Sequence, residues 1–238
     1  MEYQPSEQLK TLVKDKGIKI IGITGQMMSG KDTAAEFIQF AFCHSTRITW
    51  FAYALKQMMI EYFGFTYDDL YTTEGKKRYN EFWGMTNREA LQKIGTECFR
   101  NNFHKDTWLK TMEVNIMKHP DKLIIIPDVR FPNEAALIRS LDGILLKIVR
   151  DTNRDDQQMQ HASETEINNI RCDAQIVNQG TRQELFATVL TTLHYLGIME
   201  QISLSPRLPG STLDRVLEAE YFAALKQFTG ANYPNPTV

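Results

Sequence analysis

Apolar positions fall along this chain in two rhythms. Short, nearly unbroken runs predict strands buried on both faces: Ile18-Lys19-Ile20-Ile21-Gly22-Ile23-Thr24, Lys122-Leu123-Ile124-Ile125-Ile126 and Ile144-Leu145-Leu146-Lys147-Ile148-Val149. Arg47-Ile48-Thr49-Trp50-Phe51, rich in β-branched and aromatic residues, predicts a further strand, and Ala174-Gln175-Ile176-Val177 the last one. Helices are expected between them. Ala34, Ala35, Phe37, Ile38 and Ala41 share one side of a segment behind the first strand, Ala52 opens a helix towards Phe63, and Thr86 starts another through Phe99. Further helices are predicted from Asp106 to Lys118 and from Arg182 to Leu196, with Asn101-Asn102-Phe103 interrupting the pattern. Ser6 is placed to cap a short leading helix that Gly17 stops.

Strands alternating with helices imply an α/β fold: a doubly wound, mainly parallel five-stranded sheet with helices on both faces, whose ligands bind beyond the carboxyl ends of the strands. Three stretches break the alternation. Residues 64–80 read as a loop or small flap, with Lys76-Lys77-Arg78 a solvated face. Asp151 to Gln160 is polar and leads into His161-Ala162-Ser163-Glu164-Thr165-Glu166, so 150–170 has the composition of a surface lid. Ser163 with Glu166 fits a capping box, and His161 has no second ligand at metal spacing. The Pro- and Gly-containing stretch 204–210 reads as a linker to one more amphipathic helix, Leu213 to Phe228. The expected organisation is therefore a leading helix at 1–17, a core domain at 18–200 and a linker with helix at 201–238.

The first strand runs into Gly25-Gln26-Met27-Met28-Ser29-Gly30-Lys31-Asp32-Thr33, a match to G-x-x-x-x-G-K. In such a loop successive backbone N–H groups form an anion nest, and the following helix points its positive end at the same place. Gly25 and Gly30 free the backbone, while Lys31 adds a mobile charge that can follow a phosphoryl group. Strand before and helix after are the context the motif needs, so a P-loop NTPase fold is expected. The usual pattern continues with Ser or Thr on Mg²⁺, but here Asp32 holds that place and Thr33 follows.

Other charged residues lie near the same edge. Lys56, judged by spacing alone, reads as a solvated helix lysine. Pro127-Asp128-Val129-Arg130-Phe131-Pro132-Asn133-Glu134 places an acid and a base where a buried strand opens onto the active edge. Asp128 resembles the acidic residue that helps hold Mg²⁺ in P-loop enzymes, the lesser alternative being a helix N-cap or a structural Asp–Arg pair. Trp108, isolated, reads as core.

Composition narrows the partners. With 238 residues, 42% of them hydrophobic, the chain can bury a substantial core. A net charge of −2 gives no general attraction to nucleic acid or anionic membrane, so free nucleotides are the more plausible ligands. Three cysteines, Cys43, Cys98 and Cys172, without metal spacing, fit a reduced cytoplasm. No apolar run approaches the ~20 residues needed to cross a bilayer.

Taken together, Gly25-x4-Gly30-Lys31-Asp32-Thr33, Ala52-x3-Lys56, Arg88-x2-Leu91-Gln92-x2-Gly95-Thr96, Asn101-Asn102-Phe103-x4-Trp108, Pro127-Asp128-Val129-Arg130-x3-Glu134, Arg150, His161-x2-Glu164 and Asn178-x-Gly180 resemble, in order, the bacteriophage-type deoxynucleoside monophosphate kinases. The resemblance spans Lys19 to Leu196. It implies a P-loop kinase that moves the γ-phosphoryl of ATP onto a dNMP with Mg²⁺, a helical substrate-binding insertion at about 53–118 and a lid at about 150–170. It assigns Gly25, Met28, Ser29, Gly30, Lys31, Asp32 and Thr33 to the ATP phosphates, with Asn178 and Gly180 near the adenine. Lys56, Arg88, Gly95, Thr96, Trp108, Asp128, Arg130 and Glu134 are placed around the monophosphate. Lys31, Arg130, Arg150 and Asp128 are the expected catalytic set, and Asp32 and Asp128 the metal-associated acids, Asp32 largely through water. Some relatives carry Lys where this chain has Met27, so one phosphate contact is absent or supplied from Lys76 to Arg78.

Two other readings compete: a P-loop kinase of another phosphorylated acceptor, such as phosphomevalonate or dephospho-coenzyme A, and an ATP-dependent switch protein. The cations Lys56, Arg88, Arg130 and Arg150 exceed what one triphosphate needs, which favours a second phosphate-bearing substrate. A homodimer through the C-terminal helix is a further expectation.

Overall fold

The computed structural model describes residues 3–42, 46–150 and 166–201. The expected helix at 213–228, the body of the expected lid and Cys43 lie outside the described residues. α1 (Glu7–Lys16) leads; Ser6 accepts a hydrogen bond from the Leu9 N–H and Gly17 ends the helix at φ 62°. β1 (Lys19–Thr24), the loop and α2 (Lys31–Ala41) follow, then β2 (Thr46–Ile48) and α3 (Tyr53–Phe63). β5 (Leu123–Val129), α8 (Pro132–Ser140), β6 (Ile144–Val149), β7 (Ala174–Val177) and α9 (Arg182–Tyr195) complete the main layers.

The five strands form one parallel sheet in the order β2-β5-β1-β6-β7, with β1 in the middle. The register against β5 shifts between Gly22 and Thr24, at the carboxyl end of β1 just before the loop. Alternate strand residues feed opposite faces. Ile21, Ile23, Ile125, Leu146 and Ile148 pack with Phe37, Ile38 and Phe186 from α2 and α9. Ile20, Ile124, Ile126 and Leu145 pack with Leu9, Met112, Ile116 and Ile138 from α1, α7 (Thr107–Lys118) and α8. A two-sided apolar strand becomes buried on both faces because each face carries its own helical layer.

A third apolar cluster, Leu55, Met59, Phe65, Leu70, Ala90 and Trp108, belongs to an insertion between β2 and β5. Here the structure departs from the sequence reading. Residues 64–80 are not a plain loop: they hold two one-turn helices, α4 (Tyr67–Tyr71) and α5 (Thr73–Lys77), capped by Thr66 and Thr72. A β3–β4 hairpin (Tyr79–Asn80, Met85–Thr86) follows. Asn101-Asn102-Phe103 does not interrupt a helix either. α6 (Asn87–Gln92) widens into a π-helix over Lys93–Phe103, and His104 ends it in extended backbone. β2 is also shorter than predicted: Thr49 still donates to the Ile125 carbonyl at 2.9 Å, after which Trp50 and Phe51 leave the sheet.

Candidate functional site

Residues 25–30 form the turn from the carboxyl end of β1 into α2. Gly25 has φ 147°, and a Cβ there would lie 2.2 Å from the Ile148 carbonyl oxygen; Gly30 has φ 104°, facing the Asn178 amide at 2.5 Å. Met28 is also left-handed at φ 63° and largely exposed, a conformation an L side chain adopts only when its surroundings hold it. Asn178 does part of that holding, donating its side-chain N–H to the Ser29 carbonyl at 2.8 Å across the site. Lys31 donates to the Gln26 carbonyl at 2.7 Å within its own loop. The Thr24 and Ser29 hydroxyls are buried here without a hydrogen-bond partner among the described residues. Asp32 is exposed in the first turn of α2, and Thr33 is half-buried.

Opposite the loop, Asp128 lies near the carboxyl end of β5. Its two oxygens accept the backbone N–H groups of Phe51 at 2.9 Å and Ala52 at 3.1 Å, which fixes the entry to α3 and hence the place of Lys56. Burial pushes the Asp128 carboxyl up, against the pull of these two amides and of Lys56 and Arg130. Lys56 rests its ammonium 3.9 Å above the Tyr71 ring. Burial, then the charges of Lys76 and Arg130, lower its pKa to about 8, while Asp128 and Asp32 oppose the shift. Lys76 is lowered too, by burial and by Arg88 and Arg130, with Asp32 opposing. Lys56 is therefore within electrostatic reach of Lys76, Arg130, Asp128 and Asp32, and Lys76 within reach of Arg88, Arg130 and Asp32. The run 76–78 is not uniformly solvated: Lys77 pairs with Glu74, Arg78 pairs with Asp68 and Asp69, and Lys76 turns inward.

Two other predicted site residues, Glu134 and Trp108, have their polar groups engaged within the protein. Glu134 is buried; one oxygen accepts the backbone N–H groups of Arg130 and Phe131, and the other pairs with Arg100 at 3.0 Å. Burial raises its pKa and Arg100 opposes the rise. The Arg100 guanidinium also lies 4.0 Å over the Phe131 ring. Trp108 is buried against Phe99 and donates its indole N–H to the Gly95 carbonyl at 2.9 Å, tying α7 to the π-helix on which Thr96 also lies. Arg150 is exposed just beyond β6, and Gly180 is exposed in the turn before the α9 cap, Thr181. Arg100 and Tyr71 are the participants the sequence did not single out; Lys76 entered only as part of the run 76–78, as one possible source of a phosphate contact. Arg100 and Tyr71 carried no signal, because their roles come from contacts far along the chain.

Among the described residues no three His, Cys, Asp or Glu side chains converge as a metal cage, and no helix is long and apolar enough to cross a membrane. The family profile described as deoxynucleotide monophosphate kinase matches residues 52–189. A relative from Acanthamoeba polyphaga mimivirus, provisionally named a deoxynucleotide monophosphate kinase, is 31% identical over 191 residues, 72% of this chain and 94% of its own. The deoxynucleoside-5′-monophosphate kinase of Escherichia phage T5 is 35% identical over 85 residues, 34% of each chain. The deoxynucleotide monophosphate kinase of Enterobacteria phage T4 is 27% identical over 115 residues, 46% of each.

Proposed function

We propose, on the premise that this chain belongs to the deoxynucleotide monophosphate kinase family, that it transfers the γ-phosphoryl of ATP to the 5′-phosphate of a deoxynucleoside monophosphate, giving dNDP and ADP. The observation that carries this reading is a phosphate loop accompanied by a separate set of cations: Lys56, seated on Tyr71 at the start of a helix that Asp128 fixes, and Arg88 and Arg130 within electrostatic reach of the inward-turned Lys76. One triphosphate needs the loop; a second anionic substrate needs the rest.

Phosphoryl transfer of this kind rests on positioning and charge stabilisation, without a protein nucleophile. The loop amides and Lys31 hold the ATP phosphates, and Lys31 exchanges the Gln26 carbonyl for a phosphate oxygen. The unpartnered Ser29 hydroxyl supplies one more donor at the loop. Arg130 and Arg88 offer planar, paired donors to the acceptor phosphate, and Lys56 a point charge. Arg150, exposed just beyond the end of β6, would add a further cation to the transferring phosphates. Glu134, Trp108 and Asn178 act as positioning residues: they set the backbone of Arg130, the floor at Gly95 and the shape of the loop.

The donor set suits Mg²⁺, which in phosphoryl transfer takes one or two carboxylates, water and substrate phosphates rather than a full protein cage. Asp32, exposed at the loop, would hold it largely through water; Asp128, whose oxygens already accept two amides, would lie behind. Bound Mg²⁺ neutralises charge on the transferring group.

A panel of dNMPs and NMPs with ATP, with and without Mg²⁺, read by coupled ADP release, tests the assignment. Turnover with dNMPs is expected. Activity confined to a non-nucleotide acceptor would overturn it. In the same assay Lys31→Ala should lower kcat by roughly two to three orders of magnitude, the scale of losing one preorganised charge-stabilising group, with the fold intact; near-normal activity would remove the loop from the mechanism.

A further inference from the structure

The basic run 76–78 divides by destination. Lys77 is exposed and pairs with Glu74 at 3.0 Å; Arg78 holds Asp68 at 2.7 Å and Asp69 at 3.0 Å. Lys76 is half-buried and has no ion pair among the described residues. Its ammonium reaches the Tyr71 carbonyl at 3.5 Å, while Lys56 sits on the ring of the same Tyr71 at 3.9 Å. One residue thus carries two ammonium groups, one on its π face and one on its backbone. The α5 turn that bears Lys76 is fixed from below: Asn87, buried, donates its amide to the Gly75 carbonyl at 2.8 Å and to Asp69 at 2.9 Å. Like charges held together in a partly desolvated space are costly unless an anion joins them.

We infer that Lys76 is a phosphate ligand of the acceptor nucleotide: α5 turns it inward onto Tyr71 beside Lys56, while its neighbours Lys77 and Arg78 are held in ion pairs. The inference rests on the kinase reading for the identity of the anion. The lowered pKa of Lys76, caused by burial and by the two arginines, agrees with a charge waiting for a counter-anion. Tyr71 is a positioning residue for both lysines.

The test uses the full chain with Lys76→Met, Lys76→Arg and, as a control outside the machinery, Lys77→Met. KM for the preferred dNMP and for ATP is measured separately, and binding of that dNMP and of inorganic tripolyphosphate is followed by calorimetry. Lys76→Met should raise the dNMP KM and Kd by about tenfold, with the ATP KM changed less than threefold. Lys76→Arg should recover most of the loss, and Lys77→Met should match the parent. A dNMP KM and Kd within twofold of the parent in Lys76→Met would overturn the inference and leave the kinase reading standing. Equal losses for ATP and dNMP that Lys76→Arg fails to recover would also overturn it, by making Lys76 structural. A parent chain that phosphorylates no dNMP would strike the kinase reading instead, and the tripolyphosphate titration then decides Lys76: weakened binding supports a phosphate ligand, unchanged binding rejects it.

Discussion

Lys56 shows how one side chain acquires its chemistry from neighbours distant in sequence. Its spacing after Ala52 described only a helix surface; Asp128 fixes the start of that helix, and Tyr71 from another helix receives the ammonium. Burial with Lys76 and Arg130 nearby brings its pKa down to about 8 from the ordinary lysine range near 10.4. The sign follows directly: Lys56 carries its charge below about pH 8 and loses it as pH rises through that value. Since kcat/KM reports the free enzyme, kcat/KM for the dNMP should fall above about pH 8. Lys56→Arg should keep its charge and remove that fall, because guanidinium does not titrate in this range. A parent profile flat to pH 9.5 would exclude Lys56 as a phosphate contact. Gly25 and Gly30, by contrast, were legible in the chain itself, because only a glycine tolerates both their φ values and the approach of the Ile148 carbonyl and the Asn178 amide.

Elements were legible in proportion to how much of their stability is local. The apolar runs at β1, β5 and β6 declared themselves, and Ser6 and Gly17 marked both ends of α1. The one-turn helices α4 and α5 did not, because five residues cannot form a helix without the Thr66 and Thr72 caps and the Asp69–Arg78–Asn87 network around them. The π-helix was equally hidden, since its wider turn leaves the local composition unchanged. It carries Arg100 to Glu134, so that an element of the insertion caps an element of the core. The pair is well buried, with side-chain exposures of 17% and 3%. Removing one partner of such a pair costs about 3 kcal/mol. Arg100→Ala should therefore lower the thermal midpoint by roughly 6 °C or more for a chain of this size. It should also raise the dNMP KM, because Glu134 no longer holds the Arg130 backbone in place. A midpoint within 2 °C of the parent would show that the pair does not brace the two parts.

At the scale of the molecule, the insertion has its own apolar cluster, distinct from the two that sandwich the sheet, while α7 packs into the second of those and ties to the core through Glu113 and Asn115; two further polar ties meet β5 and α8, Asp128 to the Phe51 and Ala52 amides and Arg100 to Glu134. The Asp128 and Glu134 ties lie beside the cation set: Asp128 is within electrostatic reach of Lys56 and Arg130, and Glu134 accepts the Arg130 backbone N–H. An anion bridging Lys56, Arg88 and Arg130 would therefore add contacts across the same junction and restrain the insertion against the core. Local opening of a unit with its own small cluster costs less than global unfolding, so exchange of its amides should report that restraint. Adding the preferred dNMP with a non-hydrolysable ATP analogue should slow hydrogen exchange in α3 and in α6 with the π-helix by at least severalfold. The amides of β1 and β5, buried between two layers, should change little. If protection rises equally in sheet and insertion, the molecule opens as one unit. In that case the insertion is not a separately restrained substrate-binding part.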